Sequence, residues 1–257
     1  MRAGDEEARR SYDAFAPSYD DFNHAYMNVR WTARLLARAQ AAGLDGGDRL
    51  LDVACGTGHS FIPMLARGWR VTGCDISPAM LKLAEEKGEG RARLELADMR
   101  SLPRFGEFDL VWAVNDAVNY LLTEDELVAA LGGMRRNLAA NGLIVFDVNT
   151  LATYRGFFGA EHEVRRNGRR FVWSGQMGTG DIAPGAICEA KFGGEGAGVE
   201  PHVHRQRHFP EQEVMAAIDA AELSCVEVTG ERDGDLGPGL DEDLHTKAVY
   251  VCRVSPG

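Results

Sequence analysis

The chain has 257 residues, 45% hydrophobic and 26% charged, with a formal net charge of -11, values of a globular protein long enough for one large α/β domain with an appended cap. The acid excess argues against nucleic acid as the main partner, because neutralising phosphates takes a basic face, and no run nears the ~18 apolar residues of a membrane span. The five cysteines form no Cys-x-x-Cys pair and Met1 to Arg10 is charged rather than leader-like, so reduced thiols in a cytoplasmic protein are expected.

Residues 1–47 read as a helical, aromatic lead-in carrying Tyr12, Phe15, Tyr19 and Phe22, with Pro17 expected to break its first helix. Trp31, Leu35, Leu36 and Ala39 recur at helical spacing, and Gly43 with Gly46-Gly47 ends that helix. A first strand is expected over 49–54, then two glycines and an amphipathic segment from His59 to Arg67. Val71 to Cys74 is a second strand, closed by Asp75, and Ser77-Pro78 starts a helix with Ser as N-cap and Pro in first position. Arg93 to Ala97 alternates into a third strand, and Phe108 to Val114 is a continuous apolar run suited to a central parallel strand. Thr123 caps a helix with Leu127, Leu131, Met134 and Leu138 on one face, and Asn141-Gly142 turns into a fifth strand, Leu143 to Val148. Strand and helix alternating at this rhythm, over 48–150, predict a doubly wound parallel sheet.

The pattern changes near residue 151. From there to 209 no helix is expected, and 169–174, 186–192 and 199–209 alternate like antiparallel strands of a small β cap. Residues 210–257 return to the core with a helix opened by Pro210, then strands at 224–229 and 247–253 joined by the acidic, glycine-rich loop 230–243.

The glycine turn Ala54-Cys55-Gly56-Thr57-Gly58, between a strand and a helix, suits a ligand that approaches the backbone closely, and Asp75 lies where the ribose of a nucleoside would rest. A dinucleotide fingerprint needs a third small residue where Phe61 stands, and no Gly-Lys-Ser/Thr is present for a phosphate loop. The stretch Leu51 to Gly58, Asp75 with Ile76 to Leu81, Asp98-Met99, Phe108 to Val111, Asn137-Leu138 before Asn141-Gly142-Leu143, and the closing helix-strand-strand together resemble the class I S-adenosylmethionine (SAM)-dependent methyltransferases. Tyr12 to Asp20 is similar to the N-terminal lid of their small-molecule branch. Asp116 with Asn119-Tyr120-Leu121 resembles a subgroup with a β insertion after strand five, and the cap resembles that of antibiotic-pathway amino-sugar N-methyltransferases.

That resemblance implies a seven-stranded, mostly parallel sheet with an antiparallel last strand, an N-terminal helical lid and a β cap over the substrate cleft. It implies SAM as cofactor, S-adenosylhomocysteine (SAH) as product, and methyl transfer to N or O of a small molecule, with secondary metabolism as a setting. A SAM- or SAH-binding sensor or scaffold without turnover is the alternative. Gly56 and Gly58 would admit the methionyl part, with Ala54 where the family usually has Gly. Asp75 would accept both ribose hydroxyls, Ile76 and Met80 would flank the adenine, and Asp98 with the Met99 backbone would read its amino edge. Asn115 follows strand four at the ligand-binding edge of the sheet, and Tyr19 and Trp31 are candidates to close over the methionyl end.

Transfer from a sulfonium needs positioning and desolvation above all, with a base if the acceptor must lose a proton. His204, whose His204-Arg205-Gln206-Arg207 resembles a motif at the same place in relatives, and Tyr120 are the candidates for catalysis, among seven histidines from His24 to His245. His202, His204, His208 and Glu211 have metal-ligand types at strand spacing, but a parallel sheet is the wrong frame and no metal is expected. The acids of loop 230–243 suit a cationic amine as well as plain solvation. The sequence leaves the acceptor unnamed, and monomer and homodimer both open.

Overall fold

The computed structural model describes residues 3–23 and 30–255, so His24, and residues 24–29 of the expected lead-in, lie outside the described residues. The N-terminal part is α1 (Ala3–Asn23) and α2 (Trp31–Ala41). The alternating core follows as β1 (Arg49–Val53), α3 (Ile62–Leu65), β2 (Arg70–Asp75), α4 (Pro78–Gly88), β3 (Arg93–Leu96), β4 (Phe108–Ala113), α5 (Glu124–Arg136) and β5 (Leu138–Asn149). A short helix α6 (Leu151–Thr153) runs into a π turn, Tyr154–Phe158. Then come β6 (Glu161–Arg166), β7 (Arg169–Gly175), β8 (Ile187–Glu195), β9 (His202–Arg207), α7 (Glu211–Ala220), β10 (Leu223–Arg232), β11 (Asp235–Pro238) and β12 (Lys247–Val254).

The large sheet has eight strands in the order β11-β10-β12-β5-β4-β1-β2-β3. Strands β1 to β5 are parallel, and β12 inserts antiparallel beside β5. Its central strands are apolar because helices cover both faces, one holding Leu127, Leu131, Val214 and Ile218, the other Leu35, Leu36, Phe61 and Met64. Strand order reverses between β1 and β4, leaving a crevice at their carboxyl ends. The second sheet, β6-β7-β8-β9, is antiparallel.

Several local expectations are corrected. Pro17 does not break α1, which runs through it, because tertiary contacts outweigh one lost backbone bond: Phe15 and Phe22 are buried, and Ser11 and Ser18 donate to the carbonyls of Val203 and Gly198. The helix expected from His59 to Arg67 shrinks to the four residues of α3, too few to sum a sizeable dipole. Asn141-Gly142 is no turn but lies inside β5, which starts at Leu138 and absorbs the irregularity as a register shift opposite Phe108 and Leu110.

The eighth strand, β11, comes out of the acidic loop. Asp233 and Gly234 both take positive φ (53° and 84°) and join β10 to β11 as a two-residue hairpin. Asn167-Gly168 does the same between β6 and β7, with φ of 50° and 74°. Both dipeptides are standard hairpin signals in the sequence. The lead-in and the small sheet share one core: Phe15 and Phe22 of α1 pack with Phe158, Phe171, Trp173 and Phe192. Among the described residues no helix is long and apolar enough to cross a membrane.

Candidate active site

Strand β1 delivers the chain to the turn at the switch point. Ala54 (φ 57°), Gly56 (φ 54°) and Gly58 (φ 83°) are all left-handed, a conformation that costs a Cβ-bearing residue and suits glycine. Beneath them Asp52 is fully buried and accepts a 2.5 Å bond from the Ser60 hydroxyl. Burial pushes its carboxyl up to about 7 against the hydrogen bond from Ser60. On the outer side of the turn a Cβ at Gly56 would meet nothing closer than the Tyr19 hydroxyl at 4.0 Å, so the missing side chain leaves room for a ligand. At Gly58 a Cβ would come within 2.6 Å of the Phe61 ring, so this glycine seats a core aromatic.

Asp75, at the end of β2, faces the same space. One oxygen accepts the Gly56 amide and the other the Ser77 amide, each at 2.9 Å, which fixes the carboxylate and leaves it further lone pairs. Burial raises it to about 6, with the amides of Ser77, Gly56 and Ile76 pulling the other way. Asp98 caps the turn after β3 and is forked by Arg100, at 2.9 and 2.7 Å. Two aspartates of α1 close the space from above: Asp13 accepts the Ser77 hydroxyl, and Asp20 accepts the Thr57 hydroxyl and pairs with Lys87.

The resulting cavity is lined by Tyr19, Ala54, Gly56, Asp75, Ile76, Asp98, Met99, Asn115 and Tyr120 among the expected residues. Three others expected at the cofactor stand elsewhere. Gly58 is withdrawn by the Phe61 ring, and Met80 is fully buried in the core under α1. Trp31 donates its indole N–H to Asp147 at 3.0 Å and lines a second, larger cavity instead.

That second cavity lies between α1, the π turn and the small sheet. Phe15, Phe22, Phe157, Phe158 and Trp173 form an aromatic wall, and Asp116, Asn149, Gln206, Glu231, Thr246 and Lys247 a polar one. Tyr12, Tyr19, His59, Asn115 and Tyr120 line both cavities.

The polar wall hangs on a strained turn. Asn115 (φ 61°) and Asp116 (φ 55°) are consecutive left-handed residues at the end of β4. They are held by Asp147 of β5, fully buried, which accepts their amides at 2.9 and 2.5 Å. Lys247 bridges Asp116 and Asp147 at 2.9 and 3.3 Å, and Gln206 donates to the other Asp116 oxygen at 2.8 Å. Burial pulls the Lys247 ammonium down, but the two carboxylates outweigh it and hold it above its ordinary value. Sequence reading missed Asp147 and Lys247. The available signal was an acid inside the apolar run Leu143 to Val148.

His204 lines neither main cavity. It is 1% exposed behind Tyr120, whose hydroxyl is 2.9 Å from its Nδ1. Burial, and then neighbouring His202, hold the ring well below the ordinary histidine range, so it is neutral. Burial, and then Asp116, raise the Tyr120 phenol above its ordinary value. His208 is fully buried near the Gly185 amide and Glu242, away from the His202–His204 pair. Among the described residues no group of three His, Cys, Asp or Glu is placed to hold a metal ion.

Comparison with known proteins gives this geometry its context. Residues 50–142 match the model of a methyltransferase domain. YqeM of Bacillus subtilis, a protein assigned as a methyltransferase, is 30% identical over 244 residues, covering 92% of this chain and 96% of its own. A SAM-dependent methyltransferase from Clostridium acetobutylicum superposes with a TM-score of 0.77 at 19% identity, covering 95% and 99% of the two chains. An amino pentose methyltransferase of calicheamicin biosynthesis from Micromonospora echinaspora, solved with SAM bound, superposes at 0.65 with 26% identity over 90% and 95%. With its glycine turn open toward a carboxylate already held by two amides, the chain belongs to the SAM-dependent methyltransferases and takes SAM as its cofactor.

Proposed function

We propose that the chain methylates the amine nitrogen of a small molecule bound in the larger cavity. Tyr120 carries this reading, as a hydroxyl common to the walls of both cavities. SAM supplies a methyl group already activated on a sulfonium, so the chain's task is to hold, orient and exclude water. Gly56, Asp75, Ile76, Asp98 and Met99 would hold the nucleoside and the turn, and Asn115 and Tyr19 the methionyl end. Helix α1 serves as lid and the four-stranded sheet as cap, their shared aromatic core keeping water from the junction.

Nitrogen is favoured over oxygen by charge. On the polar wall Asp116 and Glu231 stand against Lys247, with Asp147 buried behind it, an acidic surplus that suits an ammonium substrate, and aromatic rings add to its attraction. Such a substrate must be neutral to attack, and the Tyr120 hydroxyl, held by His204 behind it, can orient its N–H. The amino pentose relative supports a place in secondary metabolism.

The test is a panel of small amines and matched alcohols, amino sugars among them, with SAM, measuring SAH and methylated product. SAH should form with amines and stay at background with the alcohols. Turnover of alcohols alone would overturn the assignment to nitrogen. Tight SAH binding with no turnover of any acceptor would count against a small molecule in this cavity.

A further inference from the structure

Behind Tyr120 the hydrogen bonds do not stop at His204. His204 Nε2 lies 2.9 Å from His202 Nε2, and His202 Nδ1 lies 2.7 Å from the Glu200 carbonyl oxygen. The far end of this row settles the near end. A carbonyl only accepts, so His202 carries its hydrogen on Nδ1 and its Nε2 is bare. The hydrogen between the two rings therefore belongs to His204 Nε2, which leaves His204 Nδ1 bare and makes the Tyr120 hydroxyl the donor at 2.9 Å.

Aromatic rings hold the pair in this register. Trp173 stacks on His204 at 4.9 Å and 26°, and Phe192 lies 4.8 Å from His202. Phe15 stands 5.1 Å from each imidazole. Water has little access to the nitrogens of the buried His204, while His202 is half-buried, and a wrong tautomer would set two lone pairs or two hydrogens face to face.

We propose that His202 is a positioning residue of the methyl-transfer site: together with the Glu200 carbonyl it fixes the tautomer of His204, so that Tyr120 meets the methyl acceptor as a hydrogen-bond acceptor. This rests on the reading of Tyr120 as the acceptor's contact. With its hydrogen directed at His204, Tyr120 offers the cavity only oxygen lone pairs, which suit N–H. An amine N–H donated to the Tyr120 oxygen orients the nitrogen for attack on the methyl group. His202 touches neither substrate nor cofactor in this arrangement. It acts through His204.

The experiment uses the full-length protein with ¹⁵N-labelled histidine, in wild type, His202→Ala and His202→Gln, reading the His204 ring nitrogens by NMR without any acceptor. The wild type should show a bare Nδ1 and a protonated Nε2. In His202→Ala both tautomers should appear, and kcat with the amine turned over in the panel should fall at least about tenfold while KM for SAM stays within about twofold. The amide oxygen of His202→Gln can accept the same Nε2–H, restoring the tautomer and most of kcat. A wild-type His204 protonated on Nδ1 would overturn the proposal, as would an Ala variant that keeps both the single tautomer and its kcat. Because the spectrum is taken without acceptor, failure of the amine reading leaves this result legible.

Discussion

Around the smaller cavity the chain holds its ligand space with backbone. Three left-handed residues between Ala54 and Gly58 turn the chain, and two amides fix Asp75. Around the larger cavity the same end of the sheet is shaped by side chains from distant segments: Trp31 reaches Asp147, Tyr120 reaches His204 and Gln206 reaches Asp116. The first arrangement is local and tolerates change outside its few positions. The second depends on buried charges that must all be partnered, so its loss should reach the fold and not only binding.

The sharpest separation is between two acids. Asp147→Ala removes a fully buried carboxylate that partners the Trp31 indole, two backbone amides and Lys247. Breaking such a buried set should cost about 3–5 kcal/mol, or roughly 10 °C in the melting temperature of the ligand-free protein. Asp75→Ala should act on binding, lowering SAH affinity by about 1.5–3 kcal/mol in isothermal titration. Equal losses of stability in the two variants would erase the contrast drawn here, and SAH affinity unchanged within about twofold in Asp75→Ala would remove that carboxylate from the ribose.

Acid sharpens the same point. The native carboxyl of Asp75 titrates at about 6, above its unfolded value of about 3.9. The folded state thus binds this proton more tightly, and the group's contribution to ligand-free stability improves as pH falls from about 6 to about 4. A protonated carboxyl accepts fewer hydrogen bonds, so SAH affinity should fall over the same window, approaching about tenfold per unit below the native value. Titrations from pH 7.5 to 4.5, with Asp75→Ala as reference, should show the two trends in opposition. Parallel trends would mean that another group controls binding.

The same contrast explains what could be read in advance. The left-handed turn from Ala54 to Gly58, Asp75 at the end of β2 and the capped starts of α4 and α5 sit in short windows where residue type dictates geometry, and that geometry was legible in the sequence. The second cavity was not. Tyr120 and His204 are 84 residues apart and Trp31 and Asp147 are 116 apart, and no periodicity brings such pairs together. Gly58, Met80 and Trp31 carry the residue types of a cofactor site, but their placement was decided by the Phe61 ring, the core under α1 and the buried Asp147. The two hairpins at Asn167-Gly168 and Asp233-Gly234 were local signals that the glycine-rich, charged surroundings masked as loop.

The smallest effect probes the backbone side alone. Ala54 holds φ at 57° where glycine would adopt it without a steric penalty, so some strain is kept at the mouth of the turn. Ala54→Gly removes that penalty and adds the entropy of a glycine in the unfolded chain, two terms of opposite sign. The left-handed penalty is about 1–2 kcal/mol and the entropic cost about 0.4–1 kcal/mol, so a net gain of up to about 1.5 kcal/mol should appear as a melting temperature higher by a few degrees. SAH affinity should stay within about twofold, because the turn keeps its shape and the Gly56 and Asp75 contacts are untouched. If Ala54→Gly instead lowers the melting temperature, the Ala54 methyl is packing against its surroundings strongly enough to outweigh the strain. The turn would then depend on side chains as the larger cavity does.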